Sequence, residues 1–191
     1  MFTLCARVLA LLIASALLTG VPATSAGSMP ADPRWEFYSK DTKHYDSPWY
    51  DRAHRIMIHF GCTRAPYYSP DSRCRKNRGF HHGLDLAMPC GTKLRAGRRA
   101  WVVSNGSLGS AYGVNPIRLR NFRRGWDVVI GHTEKVFVQP GDRVRRGMVI
   151  ARANDSGAPD GCHLHFEQRA LRGGLESAVN PRRLLRLKAN G

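Results

Sequence analysis

Carboxylates are scarce in this chain. Fourteen Asp and Glu stand against 30 Lys and Arg, which leaves a formal net charge of +16 on 191 residues. That shortage says little about fold, but it draws the surface toward polyanions such as nucleic acid, anionic lipid or an acidic cell wall. Long hydrophobic runs are missing too. The run from Val8 to Leu18 is too short to cross about 30 Å of hydrocarbon. Internal repeats and low-complexity tracts are absent, and so is the paired CxxC spacing of a zinc–thiolate site. With 42% apolar and 23% charged residues, the chain is not disordered by composition. Its length suits one domain and argues against a large multidomain enzyme.

What is present begins with an address. Residues 1–26 join one charge, Arg7, to that apolar run and then to small residues at Ala23, Thr24, Ser25 and Ala26. This is the three-part pattern of a cleaved secretory signal peptide. Cys5 precedes the apolar run, which argues against a lipid-anchored cysteine, so no membrane anchor is expected after cleavage. Cys62, Cys74, Cys90 and Cys162 then remain, and an even number in an exported chain points to two disulfides. Cys62 and Cys74 bracket a polar segment, so the expected pairs are Cys62–Cys74 and Cys90–Cys162.

Residues 27–55 read as an N-terminal extension. The part from Ala31 to Arg55 is rich in aromatics and charge without a clear period, and it is expected to pack on the surface of a domain spanning 56–191. From Ile56 onward, short apolar runs alternate with Gly, Pro and Asn: Ile56–Phe60, Leu84–Ala87, Ala100–Val103, Trp126–Ile130, Lys135–Val138, Met148–Ala151 and His163–Gln168. Such a pattern predicts an all-β domain. Only Asn180 to Lys188 reads as a helix, with Pro181 at a tolerated first-turn position.

The histidines carry the chemistry. His81 and Asp85 are four apart around Gly83, which permits a backbone path that brings both side chains together. His163 and His165 are two apart, so on a strand they share one face while Leu164 and Phe166 point into a core. His132 ends an apolar strand, a place where a lone histidine is more often structural. Two His and one Asp would leave a tetrahedral Zn²⁺ with one open position, as in catalytic sites, and two further His could serve as general base and oxyanion donor. Spacing alone leaves open which of His163 and His165 binds the metal.

Taken in order, these segments resemble the secreted zinc metallopeptidases of the lysostaphin/LytM type, peptidase family M23. The resemblance rests on His81-His82-Gly83-Leu84-Asp85, then Pro89-Cys90-Gly91-Thr92, Gly131-His132, and Gly141 through Ile150. It continues in Ser156-Gly157, in Gly161-Cys162-His163-Leu164-His165-Phe166-Glu167 and in Ala178-Val179-Asn180-Pro181, covering about residues 56–187. It implies a compact antiparallel β domain with the metal at the floor of a narrow groove. It further implies one Zn²⁺ held by His81, Asp85 and His165, with His163 as general base and His132 stabilising the transition state. The implied activity is endopeptidase cleavage of peptidoglycan, at a cross-bridge or a stem peptide, by a monomer secreted to the cell wall. Thr133, Ser156 and Cys162 depart from the usual Leu, Thr and Pro. The first two alter packing without removing a catalytic group, and a Cys90–Cys162 bond would brace the site.

Three other functions compete. A wall-binding or amidase-activating module on the same fold usually lacks metal ligands, and here all five positions are filled. Gly141 to Gly147 also looks like a lipoyl carrier hairpin, but Arg stands where the modifiable Lys would be. No nucleic-acid motif accompanies the basic residues, so no specific nucleic-acid binding is expected. Peptidoglycan and anionic wall polymers are the expected partners.

Overall fold

A computed structural model describes residues 30–106 and 108–190, so the expected signal peptide lies outside the described residues. The chain enters through β1 (His44–Asp46), β2 (His54–Ile58), the small β3 (Gly61–Thr63) and β4 (Gly79–His81), and β5 (Leu84–Ala87). It continues through β6 (Lys93–Arg95), β7 (Ala100–Asn105), β8 (Ile117–Asn121), β9 (Trp126–Gly131), β10 (Thr133–Glu134) and β11 (Arg143–Val144). It closes with β12 (Val149–Ala153), β13 (His163–Ala170), β14 (Ala178–Val179), α1 (Arg182–Leu185) and β15 (Lys188–Ala189).

The main sheet runs β11-β7-β8-β9-β13-β5-β2-β1-β15, with β14 on the far end of β13. A three-stranded sheet β10-β12-β6 and the β3-β4 pair flank it, and all these pairings are antiparallel. The fold is thus mostly antiparallel β. β13 is its longest strand and sits centrally, which is why its alternation decides the site. Leu164 and Phe166 point into the core with Ile130, Leu84 and Ile56, and Trp49 meets Phe166 edge-on at 4.8 Å between ring centroids. Burying one such large apolar side chain contributes roughly 2–3 kcal/mol.

Three details differ from the sequence expectations. Trp49 and Tyr50 lie in the core and β1 lies in the main sheet, so the second half of the 31–55 stretch is inside the fold rather than on its surface. Lys135–Val138 is not a strand; Lys135 has φ 43°, which turns the chain out of the extended form. The C-terminal helix spans only Arg182–Leu185, because Arg186 adopts a left-handed conformation (φ 53°) and the chain then pairs as β15. Both expected disulfides are present, Cys62–Cys74 and Cys90–Cys162, with Cα separations of 5.5 and 5.3 Å. Among the described residues no helix is long and apolar enough to cross a membrane.

Candidate metal centre

β13 lies between β5 and β9, so His165 has a partner on each side: Asp85 across one ladder and Gly131 across the other. Directly opposed residues of an antiparallel pair share a face. Asp85 and His165 therefore leave the sheet together, and the bare Gly131 leaves room beside the ring. His81 arrives from β4, just before the turn into β5. A Cβ at Gly83 would stand 2.7 Å from His165 Cε1 and 2.9 Å from the Phe166 carbonyl oxygen. Glycine is required here by that close approach, and its φ is not in the left-handed region.

His81, Asp85 and His165 converge, all buried. His81 Nε2 is 3.2 Å from His165 Nδ1, His165 Nδ1 is 2.8 Å from Asp85 Oδ1, and His81 Nε2 is 3.3 Å from Asp85 Oδ1. Tetrahedral Zn²⁺ with bonds of about 2.0–2.1 Å places its ligand atoms about 3.4 Å apart. The two sides that meet at His81 Nε2, 3.2 and 3.3 Å, are within about 0.2 Å of that, and the His165–Asp85 side, 2.8 Å, is shorter by about 0.6 Å.

The outer nitrogen of each ring is already engaged. His81 Nδ1 is 3.1 Å from the His59 carbonyl oxygen, which can only accept, so Nδ1 carries the hydrogen and Nε2 turns a lone pair inward. His165 Nε2 donates to Glu167 Oε1 at 3.0 Å, leaving Nδ1 for the centre. Two ring nitrogens and a carboxylate oxygen thus face one point, where a bound cation would take the place of the proton that His165 otherwise holds between Nδ1 and Asp85. Glu167 is fixed in turn by Arg169 at 2.6 Å and by the Tyr112 hydroxyl at 2.9 Å. Burial pushes the Glu167 carboxyl up, but His165 and Arg169 outweigh it and bring it down to about 2. Burial likewise disfavours a charged His165, yet Asp85 and Glu167 raise it to about 10. Asp85 is pushed up by burial and further down by the three imidazoles around it, ending well below the carboxylate range.

His163 and His132 stand beside the triangle. His163 Nδ1 donates to the Gly161 carbonyl at 2.9 Å, and its Nε2 is 3.8 Å from Asp85 Oδ2. His132 Nδ1 donates to the Ser156 carbonyl at 2.7 Å, and its ring meets that of His163 edge-on at 4.4 Å between centroids. His132 has φ 53°, an uncommon conformation for a residue with a side chain and one that gathers at functional sites. Burial first, and then its neighbours His163 and His165, lower it to about 3, so it is neutral near pH 7 and, with the hydrogen on Nδ1, presents Nε2 as an acceptor.

Sequence reasoning missed four contributors: Glu167, Arg169, Tyr112 and Asp160. The first two were visible in principle, since period two puts residues 163, 165, 167 and 169 on one face of β13. Tyr112 and Asp160 come from loops with no periodic signal. Asp160 is buried; its Oδ2 accepts from the Tyr67 hydroxyl at 2.6 Å, while its Oδ1 has no hydrogen-bond partner among the described residues. Among the remaining histidines, His59 serves the centre through its carbonyl, His82 contacts Arg73 at 2.9 Å, His54 Nε2 is 3.0 Å from the Asp51 carbonyl, and His44 is exposed. Thr133 is buried and donates to the Asn115 carbonyl. The Cys90–Cys162 bond ties the start of β13 to the segment after β5. That bond is backed by Asp32, which accepts from the Cys162 N–H at 2.9 Å, and by Trp35, which donates to its carbonyl at 2.6 Å. Tyr68 and Tyr112 flank the centre, with ring centroids 5.3 Å from His81 and 5.6 Å from His165.

Comparison with known proteins bears on this geometry. The family model for peptidase family M23 matches residues 79–181, which includes all five of these side chains. The glycyl-glycine endopeptidase ALE-1 of Staphylococcus capitis is 28% identical over 117 residues, 60% of this chain and 32% of that protein. The DD-carboxypeptidase/endopeptidase Mpg of Neisseria meningitidis is 35% identical over 89 residues, 47% of this chain and 20% of that one. This chain therefore spans a third or less of the length of these curated relatives. Among solved structures, the catalytic domain of the antimicrobial peptidase lysostaphin from Staphylococcus simulans superposes with a TM-score of 0.53 at 28% identity. The match covers 62% of this chain and 88% of that one.

Proposed function

Because this chain belongs to peptidase family M23, we propose that it is a zinc-dependent endopeptidase, acting as a monomer after export to the cell wall. Its substrate is the peptide part of bacterial peptidoglycan, at a cross-bridge or a stem peptide. The observation that carries this reading is the triangle of His81 Nε2, Asp85 Oδ1 and His165 Nδ1, with both rings' outer nitrogens held from behind. A Zn²⁺ held there supplies a Lewis acid that polarises the scissile carbonyl and brings the pKa of water toward about 7. The chain's own residues do the rest. His163 presents Nε2 toward the centre, accepts the proton of the attacking water and returns it to the leaving amine. His132 is packed against it. Once the pair holds that proton, it has an N–H to offer the oxygen on which negative charge develops.

Replacing His81, Asp85 or His165 by Ala is expected to remove bound zinc and turnover together. His163→Ala is expected to leave zinc in place and cut turnover by ~10²–10⁴. Mass spectrometry of digests from peptidoglycans of differing cross-link chemistry identifies the bond. A purified protein that retains no metal and gains no activity with added Zn²⁺ would favour the wall-binding module instead.

A further inference from the structure

The basic residues are spread along the sequence, yet they gather in space. Arg98 and Arg99 precede β7, Arg123 and Arg124 form the β8–β9 turn, and Arg143 and Arg145 come from β11 and its end. All six line one open groove of about 1370 Å³. Arg120 and Arg183 complete the set, and neither Asp nor Glu lines the groove. Of these eight, only Arg120 forms an ion pair with a carboxylate among the described residues, with Asp127. Seven uncompensated guanidinium groups converging on one concavity repel one another, so the arrangement has a cost that a polyanion would relieve.

The groove is not the catalytic centre. Gln168 lines it, and on β13 Gln168 points to the opposite face from His165 and Glu167. Several of its groups are held in place. The Arg143 guanidinium lies 4.3 Å above the Trp101 ring, and Arg120 is anchored by Asp127 at 2.8 and 2.7 Å.

We propose that this groove binds a linear phosphodiester polyanion of the wall, an anionic glycopolymer that accompanies peptidoglycan. The choice of a wall polymer rests on the function proposed above; the presence of an anion site does not. Guanidinium forks match phosphate oxygens in bidentate fashion, whereas ammonium groups act as point charges, and the lining contains Arg but no Lys. Single-stranded nucleic acid has the same backbone charge but gains its affinity from bases stacking on open aromatic faces. Here Trp101 is covered by Arg143 and Trp126 is only 8% exposed, which among the described residues leaves Phe122 as the one open ring in the groove. A polymer without bases fits better. Held there, the chain turns its opposite face, with His163 and His165, away from the polymer.

The test uses poly(glycerol phosphate), a poly-dT oligonucleotide and polygalacturonate of matched charge as probes, with two fourfold variants. One carries Arg→Ser at 98, 99, 123 and 124. The other removes four charges elsewhere, with Lys→Ser at 40, 43, 93 and 188. The inference expects poly(glycerol phosphate) to bind tightest and the groove variant to lose at least tenfold in affinity, while the control variant keeps most of it. Four phosphate contacts would also weaken binding about 50-fold between 50 and 200 mM salt. Equal losses in both variants would assign the effect to net charge and overturn the groove. Tighter binding of poly-dT or polygalacturonate would overturn the stated ligand. Turnover of a short soluble peptide should be the same in the groove variant as in the parent, so a loss of polymer binding is read independently of a failure of the peptidase assignment.

Discussion

Oδ1 of Asp160 stands 3.5 Å from Nδ1 of His163, the ring nitrogen that points away from the ligand triangle. The same carboxylate is held on its other side by the Tyr67 hydroxyl. A fixed negative charge behind this ring favours the orientation in which Nε2 faces Asp85. Asp160→Asn keeps the shape and the Tyr67 contact but removes the charge. We expect kcat to fall by about fivefold, in keeping with ~1 kcal/mol for a contact longer than a formed hydrogen bond. Zinc content should not change, and metal analysis alongside steady-state kinetics checks both points.

Glu167 lies behind the centre and touches the proposed metal only through His165. Glu167→Gln can still accept from Nε2 of His165, but it loses its charge and its ion pair with Arg169. Metal affinity is expected to fall about 10–100-fold. Competition with a chromogenic chelator measures it, and circular dichroism should report an intact sheet.

Gly83→Ala tests the close approach directly. The new methyl group would overlap His165 Cε1 and the Phe166 carbonyl, neither of which can retreat without moving β13. Overpacking of this kind costs about 1–3 kcal/mol. Both the thermal midpoint and zinc retention should drop, whereas an Ala substitution at the open Gly125 should leave zinc retention unchanged.

Acid should destabilise the fold in a defined window. His132 is lowered to about 3 in the fold, against 6.5 unfolded, by burial and then by His163 and His165. The unfolded chain therefore binds the proton more readily. The stability tied to neutral His132 is complete above pH 6.5 and is lost as pH falls toward 3, by at most about 1.4 kcal/mol per pH unit. Glu167, lowered to about 2, adds to this loss as pH falls from 4.5 toward 2. His165, raised to about 10, acts in the opposite sense: its share is complete below 6.5 and is lost as pH rises through 10. Urea titrations of the chelated protein between pH 4 and 7 should show the slope, and His132→Asn should flatten it above pH 4.5.

Much of this was legible in the residue order because it depends on local repeats. Alternation in His163-Leu164-His165-Phe166 placed one face against a core and the other against the centre, since a strand has a period of two. The cysteine pairs could be read from parity and segment composition. Yet the same alternation continued through Glu167 and Arg169, and their role could not be assigned without knowing what faced them. Trp49 was misplaced for a related reason. Its burial comes from meeting Phe166, more than a hundred residues away, and nothing near Trp49 signals that contact.

The chain by itself determined which groups could bind metal and which strands could carry them, because side-chain chemistry and strand period are properties of a few adjacent residues. Only the tertiary structure decided that Nδ1 rather than Nε2 of His165 faces Asp85, that Asp160 stands behind His163, and that scattered arginines share one groove. Those relations are set by ladder register and loop packing, where residues distant in sequence are brought within a hydrogen-bond length by contacts that no local pattern encodes.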